Sequence, residues 1–291
     1  MSPDPPFSVT PIKLAINSLT FDAMLAGPAT GELVLFLHGF PEFADSWLPI
    51  MAGVADAGFR VAAFDQRGYS PDARPASVDE YGLAKLASDV LAAANQLGTD
   101  RFHLVGHDWG GMLAWHVAAD RPEFLRSLTV LSTPHPVAFL NALRTDSDQQ
   151  DRSRYIKIFR MPGHVAEAAL LAEGAKRLRA AYEDKLPAGQ IDSNVRRLSE
   201  PGALTAALNW YRGMDIDPSF DGASKIVTVP TLYVWGEQDH ALGEAAALAT
   251  AQYVTAPYSF VRLPGKSHWL PAEASAEITP LLLDHVWAHA D

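Results

Sequence analysis

Residues 102–111 read Phe102-His103-Leu104-Val105-Gly106-His107-Asp108-Trp109-Gly110-Gly111. The apolar run Phe102 to Val105 has the composition of a buried strand, and Gly106 breaks it. After Gly111 a helical pattern carries Met112, Leu113, Trp115 and His116 up to Pro122. Strand, glycine-flanked turn and helix together form the setting of a nucleophile elbow, Gly-x-nucleophile-x-Gly. Asp108 occupies the nucleophile position. Glycines suit the turn because its backbone is strained and closely approached. The following helix aims its amino end at the turn, which favours an anion there. Read only as a strand-to-helix turn, Asp108 would be an N-cap.

Working outward, the same alternation recurs on both sides. Ile12 to Ile16 and Phe21 to Leu25 read as an antiparallel pair at a sheet edge. Leu33 to Leu37 is a continuous apolar run, the mark of a strand covered on both faces. It ends in His38-Gly39-Phe40-Pro41. Ser46 is expected to cap a short helix through Trp47, Ile50, Met51 and Val54, stopped by Gly58. Val61 to Phe64 is the next strand and leads into Asp65-Gln66-Arg67-Gly68-Tyr69-Ser70. Ser77 to Glu80 has the spacing of a capping box ahead of a helix striped by Leu83, Leu86, Val90, Leu91 and Leu97. A further strand is expected at Leu128 to Leu131.

From Pro134 to Ala223 the alternation stops. That stretch reads as helical and irregular, with turn signals at Pro162-Gly163, Pro187, Pro201-Gly202 and Pro218. Alternation resumes with Leu232 to Trp235, a helix over Ala245 to Gln252, the strand Phe260 to Leu263 and a closing helix through Ile278, Leu282 and Val286. The expected organisation is a core in two parts, residues 1–133 and 224–291, with a helical lid, residues 134–223, inserted between them. Such alternation implies an α/β architecture with a mostly parallel sheet. Ligands then sit at the carboxyl ends of the strands.

Composition narrows the function classes. The chain has 291 residues, no cysteine and a net charge of −11. Disulfides, thiolate metal sites and a cysteine nucleophile are excluded, and a reducing cytoplasm is compatible. The negative balance excludes a nucleic-acid footprint and disfavours anionic membranes as partners. The amino terminus has no basic stretch followed by an apolar one, so no signal peptide is expected. No apolar run is long enough to span a bilayer. His103 and His107 fall on a strand and its turn, where their spacing does not converge on a metal, so no metal is expected.

Gly39-Phe40, Asp108, Asp239 and His268 all fall at strand ends. Asp108, Asp239 and His268 stand in the order nucleophile, acid, base. A carboxylate is nucleophilic at neutral pH without a base to deprotonate it. It could attack carbon to give an alkyl-enzyme ester. His268 would activate water to hydrolyse the ester, and Asp239 would hold the imidazole. The backbone N–H groups of Phe40 and Trp109 are candidate oxyanion donors.

With these residues the sequence resembles the α/β-hydrolase-fold epoxide hydrolases. The elbow Asp108, His38-Gly39-Phe40-Pro41-Glu42, Asp65 to Ser70 and Ser132-Thr133-Pro134-His135-Pro136 carry the resemblance over nearly the whole chain. It implies an eight-stranded sheet and no cofactor. It also implies two lid tyrosines that donate to the epoxide oxygen, matched here by Tyr155 in Tyr155-Ile156-Lys157-Ile158-Phe159 and Tyr211 in Asn209-Trp210-Tyr211-Arg212. His38, Pro41, Phe159, Trp210 and Trp269 are the expected pocket residues. Arg160 departs from the pattern, since relatives often place Gln there, and bears on substrate range. The implied partner is a small hydrophobic epoxide, with a homodimer left open. A haloalkane or haloacid dehalogenase is the rival on the same fold. Trp109 suits both, Trp210 could serve as a second halide donor, and Phe40 stands where many haloalkane dehalogenases have Asn. A non-catalytic small-molecule receptor would not need Asp108, Asp239 and His268 together.

Overall fold

The computed structural model describes residues 7–213 and 225–290. The turn signal at Pro218, the boundary at Ala223 and the stretch before Phe7 lie outside the described residues. Eight strands form one sheet in the order β1-β2-β4-β3-β5-β6-β7-β8. They are β1 Thr10–Ile16, β2 Leu19–Ala26, β3 Leu33–Leu37, β4 Arg60–Phe64, β5 Phe102–His107, β6 Leu125–Leu131, β7 Thr231–Gly236 and β8 Tyr258–Leu263. β1 pairs antiparallel with β2, and β2 antiparallel with β4. The pairings from β4 across to β8 are all parallel.

The apolar runs are explained by burial on two faces. Leu33, Leu35 and Leu37 of β3 join one apolar cluster, and Val34 and Phe36 join another. All five are buried, because successive side chains of a strand point to opposite faces and both are covered. Full burial of each such side chain is worth about 1.5–3 kcal/mol. One face is covered by α1 (Leu48–Asp56) and the last helix (Ser275–Trp287), the other by α2 (Leu83–Gln96) and α3 (Trp109–Asp120).

Between β6 and β7 the described chain is helical: α4 Pro136–Thr145, α5 Ser147–Arg152, α6 Arg154–Phe159, α7 Val165–Ala180, α8 Ala188–Leu198 and α9 Ala203–Gly213. After β7 come α10 Glu244–Ala249, α11 Leu270–Glu273 and α12 Ser275–Trp287. α7 is interrupted by left-handed residues Glu173, Gly174 and Ala175. Trp210, Tyr211 and Leu178 of this segment belong to the same buried cluster as Leu35 and Leu37, so the segment is continuous with the sheet core.

Three local expectations are corrected. Ser46 does not cap α1: it lies inside a single tight helical turn, Ala44–Trp47, and the cap position falls to Trp47 without a side-chain bond. Ser77 forms no capping box, because Val78–Tyr81 is a separate turn and α2 starts after Gly82. Glu80 instead reaches Arg67 and Lys85. The helix expected over Ala245 to Gln252 ends at Ala249 and tightens into a turn over Thr250–Tyr253, where the Thr250 hydroxyl bonds the Ala246 carbonyl.

Candidate active site

Asp108 follows β5 and precedes α3 with φ 51 and ψ −121. A non-glycine residue at positive φ is a strained position that its surroundings must enforce. Two glycines permit it. A Cβ at Gly106 would collide with the Gly110 carbonyl, and one at Gly110 with the Leu37 carbonyl. Asp108 stands at the N-cap position of α3, but its side chain makes no capping bond there. It is instead turned towards the strand ends.

There Oδ1 of Asp108 accepts the Phe40 N–H at 2.7 Å. This close approach requires Gly39, where any Cβ would meet the Asp108 side chain. Nε2 of His268 lies 3.4 Å from Oδ2 of Asp108, and its Nδ1 lies 2.8 Å from Oδ2 of Asp239. Oδ1 of Asp239 accepts the N–H groups of Ala241 at 2.8 Å and Leu242 at 2.9 Å. Both Asp239 and His268 are buried. Burial alone would raise the Asp108 carboxyl, but the His268 bond, its charge and the Trp109 N–H hold it below the usual range. Burial would likewise lower His268, yet the Asp239 and Asp108 carboxylates hold it well above the ordinary imidazole value. The pair across 3.4 Å contributes to both shifts, and for His268 the Asp239 charge is the larger influence.

Tyr155 of α6 and Tyr211 of α9 line the same cavity as Asp108 and His268. Its volume is about 310 Å³. The Tyr211 ring packs edge-on against Trp109, with centroids 4.7 Å apart, and lies 6.2 Å from the Tyr155 ring. Burial pushes both phenols far up, and the Asp108 charge adds to it, so both remain protonated donors at neutral pH. The structure therefore brings Asp108, Asp239, His268, Tyr155, Tyr211, Phe40 and Trp109 together.

Of the expected pocket residues, Pro41, Phe159 and Trp269 line the cavity. His38 and Trp210 do not. His38 is wholly buried beneath it. Its Nδ1 contacts the Gly39 carbonyl and its Nε2 accepts the Gln66 N–H at 3.1 Å. Trp210 is turned away towards the core, and its indole N–H donates to the Arg67 carbonyl at 2.7 Å. The wall also includes Leu170, Arg177, Ala181 and His240, which the sequence reading missed. His240 follows Asp239 directly and pairs with Glu183 at 2.7 Å, so its place after the acid was a usable signal. A second buried pair, Glu42 and His107, approaches to 3.3 Å, and His107 Nε2 contacts the His268 carbonyl at 2.9 Å. Among the described residues no group of three or more His, Asp or Glu side chains is placed to hold a metal.

Strand order, elbow and the acid–base pair at successive strand ends define an α/β hydrolase. Residues 32–275 match the alpha/beta hydrolase fold family. The AB hydrolase superfamily protein YfhM of Bacillus subtilis is 34% identical over 275 residues, covering 93% of this chain and 95% of that protein. Epoxide hydrolase A of Mycobacterium tuberculosis is 30% identical over 308 residues, with 92% and 94% covered. The structure is similar to that of an epoxide hydrolase of Bacillus megaterium solved with an inhibitor, with TM-score 0.85, 26% identity, and 95% and 99% covered. The chain belongs to the α/β-hydrolase family, among its epoxide hydrolases. Among the described residues no helix is long and apolar enough to cross a membrane.

Proposed function

We propose that the protein converts small apolar epoxides and water to vicinal diols through an ester on Asp108. One observation carries the reading. A single cavity has a carboxylate and an imidazole on one side and two protonated phenols on the other. The carboxylate supplies the nucleophile. The phenols supply donors to the epoxide oxygen as it becomes alkoxide-like.

Oδ1 is already held by the Phe40 N–H, which leaves Oδ2 to attack a ring carbon. The carbon–oxygen bond of the ring breaks, and the departing oxygen takes a proton from a tyrosine. Esterification then removes the negative charge from Asp108. His268 loses one of the two carboxylates that hold its proton, so its pKa falls; it passes that proton to the tyrosinate and, now neutral, accepts one from water. The resulting hydroxide attacks the ester carbon. The charge that develops on Oδ1 meets the Phe40 and Trp109 N–H groups. Collapse releases the diol and restores the carboxylate.

The dehalogenase alternative is less well supported. The Trp210 indole, the second halide donor that reading would use, is spent on the Arg67 carbonyl. A pure receptor would have no use for an ionised carboxylate–imidazole pair. The same reading takes residues 134–223 as a cap between core parts 1–133 and 224–291, a cytoplasmic location, and no cofactor.

The test separates the half-reactions. His268→Gln should open an epoxide once and stall, because ring opening does not need the base. Intact mass should rise by one substrate, with the adduct on a peptide containing Asp108. Turnover at the parental rate, or no adduct with an epoxide that the parent hydrolyses, would eliminate the ester.

A further inference from the structure

The acid loop after β7 is held from two sides, by its own Asp239 carboxylate and by the helical segment. Beyond Asp239 its backbone is held by one side chain from the helical segment, Gln149 of α5, which is fully buried. Its Nε2 donates to the Ala241 carbonyl at 2.8 Å and to the Ser153 hydroxyl at 2.9 Å. Its Oε1 accepts the Gly243 N–H at 2.8 Å. One turn on, Arg152 donates to the Asp239 carbonyl and is itself anchored by Asp148 at 2.6 Å.

The other end of this joint is the phenol side. Ser153 links α5 to α6, two residues before Tyr155. Ala241 and Leu242 of the acid loop form a small buried cluster with Phe139, against which Tyr155 and Ile156 pack. An uncharged amide is the side chain this position needs, since it donates twice and accepts once without placing a charge in a dry site.

We propose that Gln149, with Arg152 beside it, is a positioning residue that keeps the Asp239 loop and Tyr155 in register. The two half-reactions then depend on one joint: ring opening through Tyr155 and ester hydrolysis through Asp239 and His268. This rests on the ester mechanism above. Gln149→Leu fills much of the same space but leaves the Ala241 carbonyl and the Gly243 N–H buried and unpaired. The loop must move to recover partners. Asp239 then holds the His268 imidazolium less well.

The experiment measures ester formation and ester decay separately, by rapid quench with styrene oxide, across pH 5 to 9. The titratable groups facing His268 are Asp108, Asp239, His107 and His240, with Glu42 behind His107 and Glu183 behind His240. None is altered in the variants. Gln149→Leu should slow both steps, each roughly tenfold, the typical effect of stranding one or two buried polar groups. Because decay requires neutral His268, weaker support from Asp239 should move its ascending limb about one pH unit lower. Arg152→Met changes a partly exposed residue, so folding is retained, and should shift the limb in the same direction by less.

A merely structural role would reduce the folded fraction, read by circular dichroism, without moving the limb. An unmoved limb with both rates scaled by the folded fraction overturns the proposal, as do parental rates in Gln149→Leu. If Gln149→Leu does not fold, Arg152→Met decides by the same limb. If the parent forms no ester with styrene oxide or any other epoxide it hydrolyses, the mechanism fails first and the proposal falls with it. An ester-forming parent with insensitive variants overturns the proposal alone.

Discussion

Replacing Asp239 with Asn changes one atom of the acid and should stop one half-reaction. The wild-type carboxylate is buried, with Oδ1 accepting two backbone N–H groups, at 2.8 Å and 2.9 Å, and Oδ2 facing Nδ1 of His268 at 2.8 Å. In the variant those backbone donors dictate which way the amide lies. With its oxygen on them, both stay satisfied. Turned over, the NH₂ would confront two N–H donors and leave both buried and unpaired, at about 1–3 kcal/mol each, so roughly 2–6 kcal/mol in all. The NH₂ therefore faces His268. Nδ1 must then accept, and the ring proton moves to Nε2, the nitrogen that faces Asp108 and water.

That tautomer cannot take a proton from water. Recovering the productive one requires the turned-over amide, and roughly 2–6 kcal/mol corresponds to a slowing of about 30-fold to about 10⁴-fold. The upper end matches the loss of about 10⁴ for the same change in a Ser-His-Asp triad. Ring opening is spared, since Asp108 stays ionised and Nε2–H remains available to it. Single-turnover rapid quench should show ester forming near the parental rate and persisting. Ester breakdown at the parental rate would refute the tautomer argument and assign water activation to another group.

Two further outcomes are expected. Tyr155→Phe and Tyr211→Phe should each slow ring opening by about 2.7–4 kcal/mol, the usual worth of one oxyanion donor, while decay of an ester already formed is little changed; single-turnover rates of ester formation check this, and unaffected formation in both variants would make the phenols packing residues. His38 and His135 are buried, and burial holds each imidazole at about 4 against the ordinary 6.5. The folded state keeps them neutral while the unfolded chain protonates, so their contribution is full above 6.5 and is lost as pH falls towards 4. It amounts to about 2 kcal/mol each by pH 5. Urea unfolding at pH 7 and pH 5 should show the fall, and an unchanged midpoint would refute it.

What could be read from the sequence follows from how local each determinant is. β3 was readable because five consecutive apolar residues, Leu33–Leu37, report burial on both faces without reference to any partner. Gly106 and Gly110 were readable because a close backbone approach demands glycine wherever the partner lies in the chain. Side-chain direction was not. His38 lies one residue before Gly39, whose missing Cβ makes room for Asp108, yet its imidazole points down to the Gln66 N–H. Trp210 adjoins Tyr211 on α9, but helical geometry turns neighbouring side chains about 100° apart, so one faces the cavity and the other the Arg67 carbonyl.

The same reasoning explains why Gln149 left no trace in the sequence. Its partners on the acid loop are the carbonyl and N–H of Ala241 and Gly243, backbone groups that every non-proline residue possesses. A motif records residue types, and here the side chain is specific only at one end of each bond. The proposed nucleophile, acid and base each require their own chemistry, so they stand out in order along the chain. The groups that aim them can bond to backbone. They become visible only once the fold sets α5 of the helical segment against the loop after β7, with Gln149 and Ala241 separated by 92 residues. Mutational searches guided by motifs alone would therefore find Asp108, Asp239 and His268. They would pass over the contact on which the geometry of both halves of the reaction depends.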